Sequence, residues 1–187
     1  MKSPLFKTLK FLLKISISIF FLLILTECTT TYDMPTAKNI DINKYMGKWI
    51  EIARIETPFQ KGKFDSIAEY NLNADNTVSI KNSATSANGK RTTATAVAYI
   101  PDLKDHSKLR VSFFRPFYSD YWILEVEPNY KWALVGTPDK KYLWILSRTD
   151  NLDDISLMHI LTTAKMRGFD TSKLLYNINL KKNILNN

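Results

Sequence analysis

The chain has 187 residues, of which 45% are hydrophobic and 24% are charged, and its formal net charge is +8 at pH 7. This length suits one domain with a sizeable core, and no change in composition near the middle indicates a second domain. The lysines are spread along the chain without a run of five or six, so the sequence excludes a basic nucleic-acid-binding tail.

The first thirty residues differ from the rest. Lys2, Lys7, Lys10 and Lys14 precede an uncharged apolar run at residues 15–25, which is the arrangement of a secretory signal peptide. A helix needs about 20 apolar residues to cross a bilayer, and this run is much shorter. The sequence therefore predicts export through a signal peptide at residues 1–27 and disfavours a permanent transmembrane helix.

The apolar run ends at the only cysteine of the chain. Leu25, Thr26, Glu27 and Cys28 resemble a bacterial lipobox, which implies cleavage before Cys28 and attachment of a diacylglycerol to its sulfur. Glu27 stands where such signals carry a small residue, so a plain exported protein with one free thiol is the alternative. Thr29, in the place where Asp would retain such a lipoprotein, implies lipid anchoring at the outer membrane of a Gram-negative cell.

The residues after the cysteine divide into a spacer and a folded domain. Residues 28–40 contain Thr, Pro, Asn and Asp without periodicity, which predicts a lipidated linker. The folded domain then covers residues 41–187. Removal of residues 1–27 takes away four Lys and one Glu and lowers the net charge from +8 to +5, so the mature domain is mildly basic.

The folded domain begins with eight short segments that are rich in β-branched and aromatic residues and are separated by turn residues. They predict strands at 48–56, 66–72, 77–82, 91–100, 108–114, 121–127, 132–135 and 142–148. Evenly spaced strands with short links indicate an antiparallel meander, and such a meander avoids exposed edges by closing into a barrel. We therefore expect an all-β, eight-stranded up-and-down barrel.

One helix follows the strands. Asp153 can cap its start and Gly168 can end it. Apolar residues recur between them at helical spacing, namely Leu157, Ile160, Leu161 and Ala164. This stripe predicts a C-terminal helix that packs on the outside of the barrel. Residues 169–180 return to β-like composition and indicate one more short strand.

Three segments carry a resemblance to a known family. Residues 43–54, with Gly47 and Trp49, resemble the first signature of lipocalins, and the second and third signatures are matched at 130–135 and 144–148. The order of the three is that of the family. Segments 108–118 and 139–148 look particularly like bacterial outer-membrane lipoprotein lipocalins related to apolipoprotein D.

The resemblance first implies structural roles. It places Trp49 at the closed end of the barrel with Arg148 across its face, where a cation–π contact contributes about 0.5–2 kcal/mol. Gly47 would let the chain approach closely at this point. We expect these three residues to close the barrel and not to contact a ligand.

The resemblance also implies a ligand-binding interior. If Arg148 points inward, strand alternation puts Leu146 and Trp144 on the same inner face. In the matching stretch 113–118, Phe114 and Tyr118 are expected near the mouth. The predicted ligand-binding residues are thus Trp144, Tyr118, Leu146 and Phe114, and the alternative is that these side chains are ordinary core. Glu51 shares the parity of Trp49, so it is a candidate interior residue that could pair with a cationic group or a polar ligand head, the alternative being an ordinary paired or solvated carboxylate.

The expected function is binding, storage or transport of a fatty acid or lysophospholipid in the bacterial envelope, as the resemblance implies. Two alternatives stay open: an isomerase or epoxidase built on the same barrel, and a structural envelope protein whose barrel is filled by side chains. The only thiol, Cys28, lies outside the predicted barrel, which disfavours a thiol-dependent isomerase. We expect no cofactor, no metal and no catalytic residue, because His106 and His159 are not in a metal-ligand spacing or a triad arrangement. The oligomeric state is open, a homodimer included.

Overall fold

The computed structural model describes residues 34–177. Its regular elements are α1 (Ile42–Tyr45), β1 (Gly47–Ile55), a 3₁₀ turn (Pro58–Gln60), β2 (Lys63–Leu72), β3 (Val78–Ser86), β4 (Arg91–Tyr99), β5 (Lys108–Phe114), β6 (Phe117–Val126), β7 (Trp132–Gly136), β8 (Leu143–Ser147), α2 (Asp154–Met166), a second 3₁₀ turn (Thr171–Lys173) and β9 (Leu174–Tyr176). The predictions for residues 1–33 fall outside this range.

The first eight strands form a closed antiparallel barrel. Each strand pairs with the next along the chain, and β1 closes the ring. Its residues 47–50 pair with β2 and its residues 50–54 pair with β8. The short strand β9 adds to the end of β1, with Ala53 opposite Tyr176. The predicted eight-stranded barrel is therefore confirmed, and so is the further strand within residues 169–180.

The barrel wall separates two hydrophobic cores. Along β7, Ala133 and Val135 belong to the inner core, whereas Leu134 between them belongs to the outer core. This alternation is expected of a strand with two buried faces. The outer core is covered by α2, whose Ile160 and Ala164 are completely buried.

The C-terminal helix lies where the sequence predicts it. Asp153 accepts a hydrogen bond from the Ser156 backbone N–H as the N-cap. Gly168 follows the last turn with φ of +84°, a conformation that glycine adopts without steric cost. The prediction of a helix packed outside the barrel is confirmed.

Alternation of strand direction assigns each connection to one end of the barrel. The connections 73–77, 100–107 and 127–131 lie at the same end as α1 and the start of β1, which we call the closed end. The connections 56–62, 87–90, 115–116 and 137–142 lie at the opposite end, which we call the mouth. The first of these contains the 3₁₀ turn Pro58–Gln60.

Four elements differ from the sequence-based expectation: β2 begins at Lys63 and not at residue 66, β3 ends at Ser86 and not at residue 82, and β6 and α1 differ as follows. Strand β6 begins at Phe117 and not at residue 121, because Ser119 and Asp120 pair with β5 despite their weak strand preference. Helix α1 was not predicted, since four residues are too few to show a helical period. It is instead defined by its cap: the Asp41 carboxylate accepts from the backbone N–H groups of Asn43 and Lys44.

Candidate functional site

The closed end is organised around Arg148. Its Cζ lies 3.7 Å from the centroid of the completely buried Trp49 ring. The guanidinium also donates hydrogen bonds to four carbonyl oxygens, those of Lys48 at 2.8 Å, Lys44 at 2.7 Å, Tyr45 at 3.3 Å and Tyr130 at 3.2 Å. Burial lowers the pKa of Arg148, as desolvation does for any cation. One side chain therefore links the end of α1 and the start of β1 to the 127–131 turn.

The structure gives a different reason for glycine at position 47 from the one that the sequence indicated. A Cβ at this position would lie 3.5 Å from Arg148 Nη1, which is an ordinary contact. The backbone, however, has φ of +92°, which side chains other than glycine rarely adopt. Glycine is needed here for its conformation and not for close approach.

Above the closed end, three tyrosine hydroxyls meet inside the barrel. The Tyr121 hydroxyl lies 2.7 Å from that of Tyr45 and 3.0 Å from that of Tyr70. Burial raises the pKa of Tyr70 to about 12, and it raises the pKa values of Tyr45 and Tyr121 well above their usual range. All three phenols are thus neutral at physiological pH and can only donate or accept hydrogen bonds.

Nearer the mouth, a buried ion pair faces the interior. Arg54 Nη1 donates to Glu51 Oε1 at 2.5 Å, and the two side chains are 6% and 10% exposed. The second Arg54 amino group donates to the carbonyl oxygens of Gln60 and Lys63. Gln60 Nε2 donates to Glu51 Oε2, and Trp144 Nε1 donates to Gln60 Oε1 at 3.0 Å. This network holds the 56–62 connection against the inner wall.

A bulge in β1 is what brings both charges inside. Glu51 is opposite Leu146 of β8 and Arg54 is opposite Trp144, although strict alternation would put residues 51 and 54 on opposite faces. Ile52 and Ala53, between them, both belong to the outer core. Two consecutive outward residues shift the alternation by one, as β-bulges do.

Part of the inner face is not completely buried. Five inner-face side chains next to the inner core keep some exposure, namely Ala68, Ala96, Val111, Tyr121 and Trp144. An inner-face residue can be exposed only if it borders open space within the barrel or at its mouth. Ala68, Ala96 and Val111 are apolar and the other two are aromatic, so together they form an apolar stretch of the wall of this space, as small-molecule sites have.

The structure brings together only some of the predicted ligand-binding residues. Leu146 is buried on the inner face, and Trp144 lies next to it, stacked on Tyr121 with ring centroids 6.5 Å apart. Phe114 lies at the mouth, 73% exposed. Tyr118 is on the outer face, where its ring packs edge-on against Tyr99. The reason is alternation along β6: Tyr121 faces inward, so the residue three positions earlier faces outward.

The sequence analysis missed Arg54, Gln60, Tyr70 and Tyr121 as interior groups. Tyr121 could have been found from its even spacing to the inward-facing Ile123, since residues two apart on a strand share a face. Arg54 could not, because only the bulge turns it inward.

Other polar groups in the described part of the chain form ordinary structural contacts. His159 Nε2 lies 2.6 Å from Glu125 Oε1 on the outer surface, and His106 Nδ1 lies 3.0 Å from the carbonyl oxygen of Ile40. Between residues 34 and 177 no cluster of His, Cys, Asp or Glu could hold a metal ion. Within the same range no helix is long and apolar enough to cross a membrane.

A depression of about 370 Å³ lies outside the closed end. It is lined by Lys44, Pro128, Asn129, Tyr130, Lys131 and Arg148. Three of the six are cations, and the depression does not connect to the apolar inner wall that Trp144 borders. It is a poor match to an apolar ligand.

Comparisons with known proteins agree with this architecture. Residues 40–178 match the family description "Lipocalin-like domain". The chain is 39% identical over 155 residues to temperature-induced lipocalin-1 of Arabidopsis thaliana, covering 78% of this chain and 83% of that protein. It is 37% identical over 140 residues to the outer membrane lipoprotein Blc of Vibrio cholerae, covering 74% and 82%. Among solved structures, insecticyanin from Manduca sexta is similar, with a TM-score of 0.63, 25% identity and coverage of 78% and 84%.

Proposed function

The chain belongs to the lipocalin family, and from this premise we propose that it stores or carries a fatty acid or lysophospholipid in a bacterial cell envelope. Membership of the family itself implies binding of a small hydrophobic ligand. The choice of an acyl lipid and of the envelope is our inference.

The observation that carries the proposal is the partly exposed apolar lining of the barrel. Trp144, Val111 and Ala96 face inward and are not completely covered. An acyl chain in this space would be removed from water, which contributes about 0.8 kcal/mol per buried CH₂ group. Apolar side chains that border open space in the free protein are the surface such a ligand would cover.

We propose Trp144 and Leu146 as ligand contacts, with Tyr121 replacing Tyr118 beside them and Phe114 at the rim. A polar head group could be oriented by Arg54, whose buried Nε has no hydrogen-bond partner in the described part of the chain. That N–H is available to a ligand oxygen, and a buried donor without an acceptor costs about 1–3 kcal/mol.

A binding role is favoured over an enzymatic one by the state of the interior polar groups. Both Glu51 oxygens accept hydrogen bonds, one from Arg54 and one from Gln60. The three phenols bind one another and have pKa values raised by burial. The Glu51 carboxylate and the three tyrosine hydroxyls are therefore engaged in structural contacts and are not positioned to act as a general base or a nucleophile.

The envelope location rests on the N-terminal residues. We propose that Cys28 is lipidated after cleavage of residues 1–27 and that residues 28–40 link it to the barrel. Similarity to a protein called an outer membrane lipoprotein supports this interpretation. So does the position of the only cysteine, directly after an apolar run.

The proposal is tested by titrating the delipidated protein with fatty acids and lysophospholipids of several chain lengths while following tryptophan fluorescence. We expect saturable quenching or enhancement, most of which disappears in Trp144→Phe. Trp122→Phe, a substitution in the outer core, is the matched control and should keep the response. A protein that binds none of these lipids, and from which organic solvent extracts none, would instead support a structural role with a filled barrel.

A further inference from the structure

Three phenylalanine side chains at the mouth are almost fully exposed. Phe59 in the 56–62 connection is 78% exposed, and Phe114 and Phe117 on either side of the β5–β6 turn are 73% and 78% exposed. The β1–β2 and β5–β6 connections are four strands apart in an eight-stranded ring, so the rings stand on opposite sides of the opening. We call Phe59, Phe114 and Phe117 the aromatic rim.

The charge of the connections differs between the two ends of the barrel. The four mouth connections contain five cations and two acids, which are Lys61, Lys90, Arg115, Lys140, Lys141, Glu56 and Asp139. The three closed-end turns contain two lysines and four acids, which are Lys104, Lys131, Asp75, Asp102, Asp105 and Glu127. The mouth connections thus carry an excess of cations and the three closed-end turns an excess of acids, although α1, the start of β1 and the residue after β8 add Lys44, Lys48 and Arg148 at the closed end.

From the rim and this asymmetry we propose that the mouth of the barrel docks on an anionic lipid bilayer. The rings would enter the interfacial layer, where aromatic side chains are favoured. Lys61, Lys90 and Arg115 would lie at the level of the acidic head groups and attract them. The closed end would face away. This surface is separate from the acyl anchor proposed at Cys28, and its existence does not depend on which ligand the barrel carries.

A bilayer fits the rim better than a protein partner does. Phe59 is separated by the opening from the neighbouring pair Phe114 and Phe117, and cations lie between them, whereas a protein interface needs a contiguous apolar centre from which charges are depleted. A fluid bilayer requires no matching shape, so it can receive separate rings at once. Docking in this orientation would place the open interior against the membrane, and a lipid could pass between them without crossing water.

The first test measures which end of the barrel enters the membrane. In the full chain carrying Cys28→Ser, a single cysteine is introduced by Phe117→Cys at the mouth or by Leu103→Cys at the closed end, and it is labelled with an environment-sensitive fluorophore. Leu103 is a suitable control because it is 62% exposed in the 100–107 connection. Vesicles are made of phosphatidylcholine alone or with one third phosphatidylglycerol.

We expect a several-fold rise and a blue shift in emission for the mouth label on vesicles with phosphatidylglycerol, and little change for the closed-end label. High salt should reverse the effect, because the Debye length falls from about 10 Å at 0.1 M to about 3 Å at 1 M. Equal responses at the two ends, or none at the mouth, would overturn the proposal. If the emission of the mouth label already changes without vesicles because the protein self-associates, a second copy of the chain and not a bilayer would be the partner of the mouth.

The second test removes apolar surface at two places. Phe59→Ser combined with Phe114→Ser should weaken binding to phosphatidylglycerol vesicles at least tenfold in a flotation assay. Ile155→Ser combined with Met158→Ser removes comparable exposed side chains, 77% and 65% exposed, from the outside of α2 and should change binding less than twofold. Circular dichroism checks that the two double variants have the same helix and strand content before their vesicle binding is compared. Equal losses from both pairs would show that binding is not directed by the mouth.

Discussion

At the scale of single residues, Arg148 does more than cover an indole. A cation–π contact could be made by any cation above Trp49, but the four backbone carbonyls that Arg148 binds belong to three segments, α1, β1 and the 127–131 turn. The guanidinium presents several donors in a rigid planar fork, which a lysine ammonium does not. The closed end therefore depends on arginine specifically, and its contribution is structural.

We predict that Arg148→Ala lowers the free energy of unfolding by about 2–5 kcal/mol, because it removes packing on Trp49 and leaves carbonyl oxygens without a donor. Arg148→Lys should recover less than half of this loss. Urea unfolding followed by circular dichroism measures both. If Arg148→Ala unfolds at the same urea concentration as the wild type, the residue does not stabilise the closed end.

The tyrosine cluster predicts a loss of stability at high pH. The folded pKa of Tyr70 is about 12 against a usual value of 10.0, so the folded barrel resists ionisation of this phenol. Its contribution is complete below pH 10 and is lost as pH rises toward 12, by about 2–3 kcal/mol. Unfolding free energies measured between these two pH values should fall steeply. Tyr70→Phe should reduce the slope, and an unchanged slope would mean that Tyr70 ionises as freely in the folded as in the unfolded state.

At the scale of elements, β1 is the strand that defines the site. Its first half pairs with β2, its second half with β8, and its end with β9. The bulge at Ile52 and Ala53 turns Arg54 inward beside Glu51. Glu51 and Arg54 both bind Gln60. The bulge in β1 therefore positions the interior charges and also the 56–62 connection.

We predict that Glu51→Leu destabilises the barrel by up to about 3–5 kcal/mol, because it leaves the buried Arg54 guanidinium with only the more distant Glu56 carboxylate, 3.6 Å from Nη2. Glu51→Leu combined with Arg54→Leu should cost much less than the single substitution, since no uncompensated charge remains. A double-mutant cycle by urea unfolding measures the difference. Additive losses would show that the two side chains do not act as a pair.

At the scale of the whole molecule, different groups of residues occupy the closed end, the middle and the mouth of the barrel. The closed end carries Arg148 and Trp49, the middle carries the tyrosine cluster, and the partly open apolar wall lies toward the mouth. From Cys28 to Met34 six residues can span at most about 20 Å when extended. An acyl anchor at Cys28 would therefore keep the barrel within about one domain diameter of the membrane, where a lipid ligand is concentrated.

We predict that Cys28→Ser, expressed in a Gram-negative host, abolishes labelling by radioactive fatty acid, because serine cannot form the thioether to diacylglycerol. The protein should also move from the membrane fraction toward the soluble fraction, since stable anchoring needs more than one acyl chain. Glu27→Ala is the control, and it should keep or increase labelling. Labelling that persists in Cys28→Ser would exclude this cysteine as the attachment site.

The number, order and approximate limits of the strands could be predicted from the sequence, as could the helix between Asp153 and Gly168. These features depend on local composition, on turn residues and on caps, all of which lie within a few residues of the element they define. The family resemblance places Trp49 and Arg148 at the closed end, and alternation counted from Arg148 then puts Leu146 and Trp144 on the inner face.

The tertiary structure alone decided which polar groups share the interior. Arg54 faces inward only because β1 is bulged where it pairs with β8, a strand about 90 residues later in the chain. Tyr118 faces outward because β6 begins at Phe117 and pairs with β5 in a register that places Tyr121 inside. A shift of one residue reverses the face of every side chain beyond it, and bulges and registers are determined by the partner strand. Alternation is therefore local, but the point from which it is counted depends on long-range pairing.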